Sequence, residues 1–225
     1  MNTVHLTDCN KFMKGIPDKY YELAIVDVPY GINQGGGKNH TRGKLATPKD
    51  YKDFGDTSAP KKQFFDELIR ISKNQIIWGA NHFISKIPYD SSCWIVWDKN
   101  NSGDFADSEL AWTSFCSAVR NFKFTWNGML QENMKNKEFR IHPTQKPVAL
   151  YKWLLKNYAK PNDKIFDSHV GSGSSRIACY DMGFSFEGCE LDPDYWKAQE
   201  ERFEQHTMQG DLFSGEDLQE SMMKR

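Results

Sequence analysis

The residues with the clearest chemical potential are Asp27-Val28-Pro29-Tyr30, which follow the apolar run Leu23–Val26. The run predicts a buried strand, and Pro29 predicts where it ends, because proline has no N–H to donate to a neighbouring strand. In open α/β sheets, ligands bind outside the carboxyl ends of the strands. There the Asp27 carboxylate and the Val28 carbonyl could accept hydrogen bonds from an amino group, while the Tyr30 ring stacks on a flat heterocycle. The pattern predicts a site for an amino-bearing planar base, and a plain strand and turn with Asp27 as a cap is the alternative.

A second candidate site lies between Ile165 and Met182, where a predicted strand, a glycine turn and a helix follow one another. Gly171 and Gly173 allow the backbone to approach a ligand closely. The next predicted strand ends at Glu190, and an acid at that position can bind the two hydroxyls of a ribose. The turn has too few glycines and no lysine for a phosphate-binding P-loop. A nucleoside-type cofactor without a pyrophosphate therefore fits better than a dinucleotide.

Apolar runs and amphipathic segments alternate along the chain, which is typical of an α/β protein with a doubly wound, mostly parallel sheet. Strands are predicted over residues 3–7, 23–26, 75–78, 93–97, 109–115, 122–126, 164–167 and 184–189, and helices over 9–16, 62–72, 81–87, 147–158, 174–182 and from 193 onward. In such a sheet both candidate sites lie along the same edge. Asp8 follows the first predicted strand, where it is expected to cap the next helix, with a ligand contact as the alternative.

Length and composition predict one domain over residues 1–206 and a polar tail over 207–225. The formal net charge is −1, so the chain has no overall basic field and any contact with nucleic acid needs a local patch. The five cysteines show no metal-binding spacing, so we predict no metal site and expect reduced, buried cysteines in a cytoplasmic protein. No signal peptide or membrane-spanning run is recognisable, so no membrane partner is expected.

Residues 31–56 form a long stretch without periodicity directly after the first candidate site. Long loops of this kind are commonly functional or disordered. We predict a mobile flap over a substrate, and a solvated loop is the alternative. The basic residues of the stretch could contact phosphates: Lys38, Arg42, Lys44, Lys49 and Lys52.

The most specific motif of the chain is the segment from Ile141 to Pro147, with the sequence Ile-His-Pro-Thr-Gln-Lys-Pro. Together with residues 27–30 and the turn from Asp167 to Gly173, it resembles motifs of the amino DNA methyltransferases of the β arrangement. In that family the catalytic Asp-Pro-Pro-Tyr precedes the Phe-x-Gly-x-Gly cofactor loop. The matching residues extend from Asp8 to about Phe203, so the resemblance covers nearly the whole chain.

Two of the three motifs depart from the family pattern. Val28 stands where the family has its first proline, which leaves the main-chain carbonyl unchanged and makes the turn less rigid. His169 replaces the phenylalanine of the glycine loop, and Ser168 replaces the usual proline before it. An imidazole therefore stands in place of an apolar wall, and its charge can change near neutral pH.

The resemblance implies a Rossmann-like sheet with an antiparallel edge strand, S-adenosylmethionine as the methyl donor, and DNA whose target base is flipped out of the stack. Asp rather than Ser at the start of the tetrapeptide favours adenine N6 over cytosine N4 in this family. Methylation of cytosine N4 or of RNA, or a weak or non-catalytic binding relative, are the alternatives. A homodimer is possible, and no restriction partner is required.

The resemblance also implies roles for individual residues. The catalytic group comprises Asp27, Val28, Pro29 and Tyr30: Asp27 and the Val28 carbonyl accept from the target amine, and Tyr30 stacks on the base. Gly171, Gly173 and Ser174 line the methionine part of the cofactor, Thr144 and Lys146 lie near its carboxylate, Glu190 holds its ribose, and Asp8 meets its adenine. The set implied to bind the cofactor is Asp8, Asp27, Thr144, Lys146, Asp167, His169, Gly171, Gly173, Ser174 and Glu190.

A small target-recognition insertion is implied over about residues 98–140. Arg120 and Lys123 in this region, with Lys38, Arg42 and Lys44 of the flap, are the candidate DNA contacts. For any single one of these residues, an ordinary solvated side chain is the alternative. The tryptophans in and near the insertion are expected in the core rather than as stacking platforms: Trp94, Trp97, Trp112 and Trp126.

Overall fold

The computed structural model of the chain describes residues 1–33, 52, 55–101, 106–127 and 130–213. Its strands are β1 (Asn2–Leu6), β2 (Tyr21–Val26), β3 (Ser72–Trp78), β4 (Trp94–Asp98), β5 (Ser108–Thr113), β6 (Arg120–Lys123), β7 (Trp126–Asn127), β8 (Leu130–Gln131), β9 (Lys164–Asp167) and β10 (Ser185–Glu190). Its α-helices are α1 (Cys9–Lys14), α2 (Lys62–Ile71), α3 (Val148–Tyr158), α4 (Ser174–Asp181) and α5 (Pro193–Phe213). The alternation of strands and helices predicted from the sequence is present.

One large sheet organises the described part of the chain, with the strand order β1-β10-β9-β2-β3-β5-β4-β6. The first five strands are parallel, β5 is antiparallel to both β3 and β4, and β6 is parallel to β4. The mostly parallel sheet is therefore as expected. The antiparallel strand was expected at the edge, but it lies inside the sheet, because β4 and β6 extend the hydrogen bonding beyond it.

Helices cover both faces of this sheet. In β2, Leu23 and Ile25 point to the face that packs with α3 and α4, while Ala24 and Val26 point to the face covered by α1 and α2. Successive side chains of a strand alternate between faces, so a strand buried on both sides is apolar throughout. This explains the continuous apolar run before Asp27 and confirms the doubly wound arrangement.

Two predicted elements differ from the structure. The helix predicted over 81–87 is a pair of 3₁₀ turns, Ala80–His82 and Ile84–Lys86, because Phe83 between them leaves the helical region with φ −146°. The strand predicted over 122–126 is divided. Its first part belongs to β6, and Trp126 starts β7, which pairs with β8 in a separate two-stranded sheet.

The polar tail was expected from residue 207, but α5 continues to Phe213. Polarity alone does not end a helix, and residues 207–213 contain no proline that would do so. Of the five cysteines, four are buried as expected, and Cys116 is exposed because it lies in the turn after β5. In the described residues, no helix is both long and apolar enough to cross a membrane.

Candidate active site

The two predicted sites meet in one cavity of about 1270 Å³ at the carboxyl ends of the parallel strands. In the order of the sheet, these ends supply Asp8 after β1, Glu190 at the end of β10, the turn from Ser168 to Ser172 after β9, Asp27 after β2, and Gly79 after β3. Parallel strands bring their carboxyl ends to the same edge, which explains why residues far apart in sequence line one space.

Asp27 lies at the centre of a cluster of polar side chains. The Tyr30 hydroxyl donates to Asp27 Oδ1 at 2.9 Å, and Lys146 Nζ lies 2.7 Å from Asp27 Oδ2. Lys146 Nζ also lies 3.1 Å from the Tyr30 hydroxyl oxygen and 2.9 Å from Glu109 Oε2. Lys146 was expected near the cofactor carboxylate, and the structure places its ammonium group against Asp27 and Tyr30.

Glu109 and Lys99 were not recognised as site residues from the sequence. Because β5 runs opposite to its neighbours, its first residues lie at the same edge as the last residues of β4, and Trp97 pairs with Glu109 in register. Lys99, just after β4, forms an ion pair with Glu109 Oε1. The sequence showed Glu109 at the start of a predicted strand, but only the direction of that strand brings it to the site.

The charges of this cluster depend on one another. Burial raises the pKa of Asp27, Lys146 opposes that rise, and Glu109 adds to it. Burial would raise the pKa of Glu109 too, but Lys146 and Lys99 hold it at about 2. Burial alone would lower the pKa of Lys146, and Asp27 with Glu109 outweighs that effect and raises it. Lys146, with a side chain only 3% exposed, is therefore a buried cation held by two carboxylates.

The Tyr30 ring is held by Gly79 and His82. A Cβ added at Gly79 would lie 2.0 Å from Cε1 of Tyr30 and 2.4 Å from each of its ring neighbours, so it would overlap the face of the ring. Gly79 also has φ +69°, which favours glycine. The His82 imidazole stacks on the ring with centroids 5.1 Å apart and planes inclined by 17°. The orientation of Tyr30 is thus set by backbone packing as well as by its hydroxyl.

The glycine turn forms the other half of the cavity. Gly171 has φ +53°, and its N–H donates to Glu190 Oε2 at 2.8 Å. The N–H of Asp192 donates to Glu190 Oε1 at 2.9 Å, so two main-chain donors fix the carboxylate. Burial raises the pKa of Glu190, and these N–H donors oppose the rise. Gly171 and Glu190 both line the cavity, as predicted.

Three residues of the predicted cofactor set support the turn from outside the cavity lining. Gly173 precedes α4 in the left-handed conformation, and Ser174 is the first residue of that helix. Asp167 is buried beneath the turn, where it accepts from Ser175 Oγ at 2.6 Å and from the His169 N–H at 3.0 Å. Burial raises the pKa of Asp167 to about 7, and these two donors oppose the rise.

The remaining predicted cofactor residues do line the cavity: Asp8, Thr144 and His169. Asp8 caps α1 by accepting from the Asn10 N–H at 2.7 Å. The hydroxyl of Thr144 lies 3.1 Å from Nδ1 of His142. His169 is bonded through Nδ1 to Ser168 Oγ at 2.8 Å, and burial lowers its pKa to about 4. The imidazole is therefore neutral at neutral pH.

Arg202 and Glu138, which were also missed from the sequence, connect the glycine turn with the start of α3. Arg202 Nη1 donates to the Ser172 carbonyl at 2.6 Å, and its Nη2 pairs with Glu138 Oε2 at 2.8 Å. Glu138 Oε1 accepts from the Val148 N–H at 2.9 Å, at the start of α3. One arginine of α5 thus holds the glycine turn and the segment around residues 138–148 together.

Two of the predicted DNA contacts, Arg120 and Lys123, are not brought to the cavity. Arg120 and Lys123 are exposed on β6, the edge strand, and do not line it. Lys38, Arg42 and Lys44 lie outside the described residues, and so does most of the predicted flap. At its described ends, Asp56 accepts from the Gly31 N–H at 2.7 Å.

The predicted placement of the tryptophans is largely confirmed. Trp97, Trp112 and Trp126 are buried, and Trp94 is partly buried. Trp97 and Trp126 also contribute to the cavity lining. These two tryptophans are therefore core residues that also form part of the cavity wall.

Comparison with known proteins identifies the family of the chain. Residues 61–201, more than half of its length, match the family of N6 and N4 methyltransferases described as DNA methylase. The chain belongs to the N6/N4 DNA methylase family. It is a DNA methyltransferase of the type that modifies N6 of adenine or N4 of cytosine. The match includes the segment 141–147, the glycine turn and Glu190, while Asp27 and Tyr30 precede it.

Individual relatives are similar over most of the chain. The type II methyltransferase M.HinfI of Haemophilus influenzae is 24% identical, covering 90% of this chain and 68% of its own length. The crystal structure of the M1.HpyAVI–SAM complex has a TM-score of 0.55 at 19% identity, covering 90% of this chain and 100% of its own. The cytosine-N4-specific PvuII DNA methyltransferase has a TM-score of 0.60 at 11% identity, covering 90% and 86%. These two structures show the shared fold, and the Rossmann-like prediction is confirmed.

Proposed function

We propose that this DNA methylase transfers the methyl group of S-adenosylmethionine to the exocyclic N6 of adenine, with the target base flipped out of the DNA stack. The single cavity carries the proposal, because Asp27 and Tyr30 line the same space as Gly171 and Glu190. Group transfer requires donor and acceptor to be held next to each other. A base site and a nucleoside site that share one space meet that requirement.

The cofactor half has groups that suit S-adenosylmethionine. Glu190 is fixed by two main-chain donors and each of its oxygens retains a further lone pair for a ribose hydroxyl. A Cβ added at Gly171 would contact the His142 ring at 3.7 Å. Glycine therefore leaves this space open in the cavity, which Thr144 and His169 also line. The M1.HpyAVI structure, which shares the fold, was solved with this cofactor. When bound, S-adenosylmethionine supplies an electrophilic methyl group on a sulfonium sulfur.

The base half has groups that suit an exocyclic amine. Such an amine is a poor nucleophile, because its lone pair is delocalised into the ring. Asp27 and the Val28 carbonyl accept hydrogen bonds from its two N–H groups. These hydrogen bonds favour a pyramidal nitrogen and free its lone pair. The methyl–sulfur bond would break as the nitrogen–methyl bond forms, with the electron pair left on sulfur. The amine N–H becomes acidic in this step and its proton would pass to the Asp27 carboxylate and on to solvent, so little general-base strength is needed. The site acts mainly through positioning and electrostatics.

Adenine is proposed as the target because the tetrapeptide begins with Asp27 rather than Ser. Cytosine N4 is the second candidate, and the observation that favours it is the fold shared with the cytosine-N4-specific PvuII enzyme. For DNA contacts outside the cavity we propose Arg120 and Lys123, together with Lys38, Arg42 and Lys44. A cytoplasmic location and independence from a restriction partner remain predictions, as does the possible homodimer.

The deciding experiment uses methyl-labelled S-adenosylmethionine and DNA from a host that lacks its own methylases. The DNA is digested to nucleosides, and the label is assigned by chromatography. We expect label on deoxyadenosine. Label on deoxycytidine would establish the second candidate, and label on neither, with cofactor binding intact, would contradict DNA amine methylation by this chain alone.

A further inference from the structure

Four charged side chains from four separate segments converge on the proposed base site. They are Asp27 after β2, Lys99 after β4, Glu109 in β5 and Lys146 before α3. Two are acidic and two are basic, so the cluster is balanced in charge. Lys146 Nζ bridges the acids, at 2.7 Å from Asp27 Oδ2 and 2.9 Å from Glu109 Oε2. An amine acceptor alone would not need this arrangement.

The arrangement matters because Asp27 serves the target amine best as a carboxylate. Protonation turns one carboxyl oxygen into a donor and removes the negative charge, which leaves fewer and weaker acceptor positions for the amine N–H. Removing a carboxylate from water disfavours its charged form, and a nearby cation restores it. Lys146 is the cation in direct contact with Asp27, whereas Lys99 contacts Glu109. Losing one member of a buried ion pair leaves the other charge uncompensated.

We propose that Lys146 and Glu109 are positioning residues: Lys146 keeps Asp27 ionised and oriented toward the target amine, and Glu109 holds Lys146 in place at the cost of some of that ionisation. This inference rests on the proposed function. Lys146 supplies the positive charge. Its ammonium group lies between the carboxylates of Asp27 and Glu109, and Lys99 holds the Glu109 carboxylate from the other side. Tyr30 and Lys146 use two of the roughly four lone-pair directions of Asp27. The others remain for the amine, so catalysis does not require the ion pair to break.

The other titratable groups around this cluster do not replace Lys146. Burial raises the pKa of Tyr30 and of Tyr151 well above the usual range, so both hydroxyls are neutral. Burial, with a smaller contribution from Asp27, raises the pKa of Asp167 to about 7, so this nearby acid supplies no positive charge either. Burial and Lys146 lower the pKa of His142 to about 4, so it adds no positive charge at neutral pH. The charge state of Asp27 therefore depends on Lys146 and Glu109 with opposite signs.

The opposite signs provide the test. We would measure the pH dependence of single-turnover methyl transfer at saturating cofactor for the wild type, Lys146→Met, Lys146→Arg and Glu109→Gln. Lys146→Met should move the acidic limb to higher pH by about one unit or more, which is about a tenfold loss of rate on that limb. Glu109→Gln should move the acidic limb to lower pH. Lys146→Arg keeps the positive charge, so its acidic limb should lie close to that of the wild type. Lys152→Met, which removes a surface ion pair with Asp181, is the matched control and should leave it in place.

A second measurement does not need turnover. A ¹³C NMR titration of the Asp27 carboxyl carbon in each protein reports its ionisation directly, with the same expected directions. If the wild type methylates no DNA, the proposed function fails while the titration still tests the inference. A uniform loss of rate at every pH, with an unshifted titration, would overturn it. A defect of Lys146→Met confined to cofactor affinity would also overturn the inference, and it would instead support a contact between Lys146 and the cofactor carboxylate. If Lys146→Met does not fold, Glu109→Gln and Lys146→Arg retain the comparison.

Discussion

The two halves of the cavity are stabilised in different ways. On the cofactor side, the polar groups are mostly satisfied by the main chain: the N–H groups of Gly171 and Asp192 bind Glu190, and that of His169 binds Asp167. On the base side, charged side chains from distant segments satisfy one another, as in the contacts of Asp27, Lys146 and Glu109. A main-chain site depends on the local conformation of a turn, whereas a side-chain site depends on how the sheet assembles.

The largest effect is expected at Asp27, where Asp27→Ala should lower methyl transfer at least about a hundredfold, because the amine loses its charged acceptor. Cofactor affinity should stay within about tenfold, since Glu190 and the glycine turn are untouched. Single-turnover kinetics and calorimetric cofactor titration check the two halves separately. Near wild-type transfer by Asp27→Ala would remove Asp27 from the chemistry.

A pair of glycine substitutions sharpens the comparison further. Gly79→Ala should displace the Tyr30 ring, because its Cβ would lie 2.0 Å from Cε1, and should reduce methyl transfer much more than cofactor affinity. Gly171→Ala should do the reverse, since its φ of +53° is part of the turn at Glu190.

The control for this pair is Gly183→Ala. Gly183 has φ +75°, and a Cβ there would meet nothing within 4 Å, so this variant carries the backbone strain alone. Cofactor affinity and transfer rate should both remain near the wild type, with lower thermal stability. Equal losses of transfer and affinity for Gly79→Ala and Gly171→Ala would show that the halves are not separable.

A smaller effect is expected at Arg202, which reaches the cofactor side through the Ser172 carbonyl. Arg202→Met should weaken cofactor binding by about tenfold, the equivalent of one charged hydrogen bond. The apparent pKa of the transfer reaction should not move, because Arg202 lies outside the Asp27 cluster. Calorimetry gives the affinity, and a shifted pH profile would argue against the division into two halves.

The last prediction concerns His169, where no effect on transfer is expected at neutral pH and the effect is confined to acid stability. Burial lowers its pKa to about 4 in the folded protein, compared with 6.5 for an ordinary histidine, so the unfolded chain takes up a proton first as the pH falls. The wild type should lose stability between pH 6.5 and 4, by up to about 3 kcal/mol from this residue. His169→Phe lacks this loss, so its stability relative to the wild type should increase across the same window. Urea unfolding at several pH values measures the difference, and a constant difference would contradict the shift.

The same contrast explains how much of the site the sequence could predict. Gly171, Glu190 and Asp27 were found because each follows a recognisable strand, so local pattern was sufficient. Glu109 and Lys99 were missed because their place depends on β5 running antiparallel inside the sheet. Lys146 was found through its motif, but the motif did not predict that its ammonium group contacts Asp27 and Glu109. The strand and helix order followed from hydrophobic periodicity, which carries no information about the order of strands in a sheet.

The reversed direction of β5 also affects how this protein could diversify. The Lys99 N–H donates to the Asp107 carbonyl at 2.9 Å and closes the connection between β4 and β5 at its base. Lys99 and Glu109, which bind each other, lie at that base. Insertions or deletions beyond the closure would therefore leave both side chains in register with Asp27. The length and composition of this connection could change without rebuilding the cluster of charges around that carboxylate.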